Sequence, residues 1–156
     1  MGEIAPALLL GLLVLILVSA GIEDARIREI SNWKNAAITL LAVPWWFAMG
    51  LSPWPDMAIQ LGVALAVFAL FAAAFHFGMM GGGDVKMIAA LALWFPFDKL
   101  VSLIVIMSLA GGAITLVMLV EKWVRRRSEQ PEVPYGIAIA IAALLTLREP
   151  IFNPFL

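Results

Sequence analysis

Apolar positions in this chain neither alternate with polar ones nor keep to a single helical face. They come in near-continuous runs, cut by charges and by Pro/Gly punctuation into segments at about 4–20, 35–51, 57–78, 85–97, 100–120 and 135–147. Strands of a membrane barrel would alternate, whereas runs that are apolar on every side suit helices surrounded by lipid. The pattern predicts an all-α polytopic membrane protein with six transmembrane helices. One integral-membrane domain over residues 1–156 is expected.

The connections alternate in charge. Arg26, Arg28 and Lys34 follow the first run, the second connection (SPWPD) has no base, and the third brings Lys86. Lys99 lies in the fourth, Lys122, Arg125, Arg126 and Arg127 in the fifth, and Arg148 in the tail. If all six runs cross, eight of the ten bases fall on one side. Positive charge marks the cytoplasmic side, so both termini are expected outside. Two runs are short: from Asp84 to Pro96 a helix covers roughly 20 Å, against a hydrocarbon core of about 30 Å. Tyr135 to Leu147 is similar. Both are expected to start below the cytoplasmic surface, where irregular backbone is tolerated only inside protein or beside a wet cavity.

Composition agrees with the membrane assignment and removes several kinds of chemistry. Apolar residues make up 63% of the chain and charged residues 13%, and the mean hydropathy is +1.01. Soluble domains carry roughly 45–50% apolar and about 25% charged residues. With no cysteine there is no disulfide, thiolate metal site or cysteine nucleophile, and one histidine, His76, builds no multi-histidine cage. No metal or other cofactor is expected. A net charge of −1 gives no basic surface for nucleic acid. The first run follows Glu3 with no base before it, which favours a retained span over a cleaved signal peptide.

Acids in so apolar a chain are the candidate chemistry. FGMMGGGDVKM sets Asp84 after Gly81, Gly82 and Gly83, with Lys86 two residues on. The glycines can take positive φ, and Asp84 is suited to cap the next helix; a turn and a cap are the plainer alternative. A second acid comes from GIEDARIREISNWKN, residues 21–35, which read most simply as a solvated basic connection. Taken together, the two acids lie at the cytoplasmic ends of apolar runs and at one depth. Two close carboxylates share a proton, so one can act as base on a water while the other acts as acid.

Here a resemblance enters. GGGDVKM resembles the GxGD signature of the type IV prepilin peptidases, with Gly81, Gly83 and Asp84 at the fixed positions and Lys86 where that family commonly has lysine. Asp24-Ala-Arg26-Ile-Arg28-Glu-Ile30-Ser31-Asn32 is similar to the family's Asp-x-Arg-x-x-x-Ile-Pro-Asn, except that Ser31 replaces proline. Pro134-Tyr135-Gly136 resembles its Pro-aromatic-Gly segment. The resemblance implies an intramembrane aspartic endopeptidase with Asp24 and Asp84 as the catalytic pair, Asp24 rather than its neighbour Glu23. It implies a prepilin substrate with a basic leader, a glycine at the cut and an apolar helix in the bilayer. The short form looks most like the peptidases of tight-adherence (Flp) pili, with archaeal preflagellin peptidases as near relatives, in the inner membrane. Methyl transfer is not expected, because the cysteine-bearing insertion of larger members is missing.

Other residues are secondary. Arg26 and Lys86 are candidates for tuning the acids or binding substrate carbonyls, and His76 for a packed or hydrogen-bonded histidine, with modulation of the acid pair as the alternative. Trp33, Trp45, Trp46, Trp54, Trp94 and Trp123 lie near run ends and are expected to form an interfacial belt. A proton-coupled transporter or channel subunit, or a noncatalytic part of a pilus or secretion apparatus, are the rival functions.

Overall fold

The structure is a computed structural model that describes residues 4–125 and 134–148. Every regular element in that range is helical: α1 (Ile4–Ile27), α2 (Asn32–Ala48), α3 (Ala58–His76), α4 (Gly82–Ala92), α5 (Phe97–Arg125) and α6 (Tyr135–Arg148). Three stretches, Ile4–Ile27, Pro53–His76 and Phe97–Val124, are long and apolar enough to cross a membrane. Arg126 and Arg127 of the basic cluster, and both chain ends, lie outside the described residues.

The short helices are the inner ones. α4 packs on α2, α3 and α6; α6 packs on α1, α4 and α5; and α1 packs on α2. The result is a core of α1, α2, α4 and α6, with α3 outside α4 and α5 outside α6. Seven of the eleven residues of α4 are buried, among them Ile88 and Leu91. The long helices instead turn side chains such as Leu15, Leu70 and Leu109 outward. Between apolar helices in lipid, close packing rather than water exclusion drives association, and small residues permit it. Ala138, Ala142 and Ala143 of α6 and Ala90 and Ala92 of α4 supply those small contacts.

A helix as short as α4 leaves its last carbonyls inside the protein, and they need donors. Gln60 of α3 gives its side-chain amide to Ala92 O at 2.7 Å and to Phe95 O at 2.6 Å. Trp46 of α2 gives its indole N–H to Leu93 O at 2.6 Å, and Trp94 donates back to Ile38 O at 2.9 Å. Trp45 and Trp94 stack with centroids 5.4 Å apart. The expected tryptophan belt therefore needs correction. Trp45, Trp46 and Trp94 belong to the core, while Trp33, Trp54 and Trp123 are exposed. Indole suits either place, provided that its N–H finds an acceptor.

Candidate active site

Asp24 does not lie in a connection after the first helix; α1 runs on past it to Ile27. It continues the buried stripe of Leu13, Leu17 and Ala20, the face that packs on α6, and is only 4% exposed. The charged residues from Glu23 onward end the apolar run and not the helix. At the start of α6 the first backbone N–H groups have no partner in the helix, and that end carries a partial positive charge. The Ile137 N–H donates to Asp24 Oδ2 at 3.3 Å. Gly136 is what lets the two elements meet, since a Cβ there would lie 2.8 Å from Asp24 Oδ2. Pro134, also buried, immediately precedes the helix.

Asp84 is 7% exposed in the first turn of α4. It is not the N-cap residue; Gly81 is. Asp84 stands three positions later, with its carboxylate turned back against Gly81. A Cβ on Gly81 would lie 2.9 Å from Asp84 Oδ2. The glycines thus serve close approach rather than unusual backbone: Gly81 has φ −74°, and the left-handed glycine of this segment is Gly78, at φ 70°.

Ile30 lies between the start of α4, which carries Asp84, and the start of α6, which lies against Asp24. A Cβ on Gly83 would lie 3.2 Å from Ile30 Cβ, and one on Gly136 would lie 2.8 Å from Ile30 Cδ1. Among the described residues no three His, Asp or Glu side chains gather where they could hold a metal ion.

The remaining candidates are not gathered at the acids. Lys86 donates to Asn32 Oδ1 at 2.8 Å, tying α4 to α2. At 100° per residue it points about 200° round α4 from Asp84, so it is an inter-helix tie on the far face. Arg26 is exposed on the last turn of α1. His76 is exposed at the end of α3, edge-on to Phe77, rather than packed inside. A cleft of about 330 Å³ separates α2 from α3, with Asn35, Thr39, Phe68 and Lys86 in its walls. It lies on that same far side of α4.

Sequence reasoning missed the residues that hold the α1–α2 turn: Glu23, Ser31 and Lys34, which are hydrogen-bonded together. It also missed Asn35, which donates to Gly83 O at 3.1 Å. The available signal was a lysine and an asparagine set inside an otherwise apolar helix start.

Residues 11–116, a stretch that contains both buried acids, match the model of the type IV leader peptidase family. No curated protein and no solved structure matches the chain. Because that match takes in well over half of the sequence, from the middle of α1 into α5, the protein belongs to the type IV leader peptidase family, proteases that process prepilin-like substrates.

Proposed function

We propose that this leader peptidase is an aspartic endopeptidase in which Asp24 and Asp84 form the catalytic pair. The observation that carries the reading is their setting. Two carboxylates are buried among apolar helices, each set against the start of a short helix, and Ile30 touches both of those helix starts. Ionisable groups so placed are costly to keep without a use.

One acid, ionised, takes a proton from a water as the water oxygen attacks the scissile carbonyl carbon. The other, protonated, gives its proton to the carbonyl oxygen. Collapse of the tetrahedral adduct breaks the C–N bond, and the departing amine takes up a proton. No covalent enzyme intermediate is formed. Gly81, Gly83 and Gly136 allow the close approach, Pro134 starts α6, and Lys86 with Asn32 fixes α4 to α2. Arg26 is a candidate for tuning the acids or binding a substrate carbonyl.

The substrate in this reading is a prepilin of the tight-adherence type, cut after the glycine that ends its leader. The chain acts as one integral domain of the inner membrane, crossing six times with both termini outside. Residues 21–35 and 77–84 then face the cytoplasm, where most of the bases lie.

The test is direct. Purified protein in detergent should cut a synthetic prepilin peptide after that glycine. Asp24→Asn and Asp84→Asn should each lower turnover by about 10²-fold or more while the protein still accumulates. Near-normal turnover in either variant sinks the paired-acid mechanism.

A further inference from the structure

Glu23 precedes Asp24 on α1 and turns away from it. Its carboxylate accepts the Ser31 N–H at 3.1 Å, the Ser31 hydroxyl, and the Lys34 ammonium at 2.9 Å. The same ammonium donates to Ser19 O at 2.9 Å. Lys34 is only 5% exposed, so this charge pair is mostly shut off from solvent. Together these bonds lace the end of α1 to the start of α2 across the turn of residues 28–31.

The turn is held rather than relaxed. Arg28 has φ 58°, a conformation that costs an L-residue roughly 1–2 kcal/mol. Holding the turn drives Ile30 inward, where it meets Gly83 with its Cβ and Gly136 with its Cδ1. Gly83 precedes Asp84 in the chain, and Gly136 lies against Asp24. Ile30 is therefore a spacer between the start of α4, which carries Asp84, and the start of α6, which lies against Asp24, and Glu23 fixes the spacer.

We infer that Glu23, Ser31 and Ile30 act as one positioning unit that sets the gap between Asp24 and Asp84. The inference rests on the reading of those two acids as the catalytic pair. Ser31 has φ −57° and ψ 131°, close to the φ of about −65° that a proline ring imposes. Glutamate bonded to serine, and proline at the same place, are two means of fixing one turn.

Four variants separate positioning from folding in the peptide-cutting assay. Ile30→Ala should lower kcat about tenfold or more with KM within about twofold, since a small misplacement of reacting groups is enough for such a loss. Ile30→Val, which keeps the Cβ branch, should retain about half of kcat or more. Glu23→Gln should also lose kcat and not KM, and adding Ser31→Pro should bring kcat back to within about threefold of the parent. A purely structural role would lower the melting temperature and the yield of folded protein but leave kcat per folded molecule unchanged, and that result overturns the inference. So does a Ser31→Pro change that deepens the Glu23→Gln loss. Cutting by Asp24→Asn or Asp84→Asn at normal rate overturns the paired-acid reading and this inference together; loss there with normal kcat in Glu23→Gln and Ile30→Ala overturns the inference alone.

Discussion

At Gly136 one methyl group decides whether α6 can reach Asp24. A Cβ there would meet Asp24 Oδ2 at 2.8 Å, Ile30 Cδ1 at 2.8 Å and Asp24 Cβ at 2.9 Å. None of these can give way without moving an acid or the spacer. Gly136→Ala is predicted to lower kcat by about 10²-fold and stability by about 1–3 kcal/mol, read from peptide cutting and thermal unfolding in one detergent. Gly112 has open space around it, so Gly112→Ala is the control that should change neither. A Gly136→Ala enzyme that cuts normally would show that the contact with Asp24 carries no function. The two acids were legible in the sequence because carboxylates in apolar surroundings are conspicuous. The division of labour between Glu23 and Asp24 rested on a motif register, because neighbouring residues differ by only 100° around a helix and composition says nothing of which turns inward. Tryptophans misled for a related reason: a helix end in the belt and a helix end against a neighbour look alike in sequence.

At the scale of the element, α4 is held from outside at both ends. Asn35 binds Gly83 O, while Gln60 and Trp46 bind the carbonyls of Ala92, Leu93 and Phe95. Gln60→Leu removes the donor from two of those carbonyls. It should lower stability by about 2–6 kcal/mol, at roughly 1–3 kcal/mol for each buried group left unpaired, and speed hydrogen exchange most in the last turn of α4. An unchanged melting temperature would mean that water reaches these carbonyls and the donor is dispensable. The shortness of α4 and α6 was visible in the sequence. What the short helices do with their exposed ends was not, since the donors come from residues thirty or more positions away. Helix α1 was read too short for the opposite reason: charge ends a run of lipid-facing residues but does not break a helix.

At the scale of the molecule, the shorter helices α2, α4 and α6 lie inside together with α1, while the long α3 and α5 lie outside, an order no hydropathy profile contains, because runs apolar on all sides give no face to match. The six-span arrangement is open to a simple experiment, since the chain has no cysteine of its own. Single cysteines at Arg28 and Met79 should react with an impermeant maleimide only from the cytoplasmic side. One at Ser52 should react only from the other. Labelling of Arg28→Cys and Ser52→Cys from one side would remove the crossing by α2 and with it the proposed topology.

The bonds that moor α4 make its first turn a fixed reference. A strut tied at both ends by side chains of its neighbours behaves like an anvil. In the proposed mechanism it is then the peptide that must come to Asp84, and not Asp84 to the peptide.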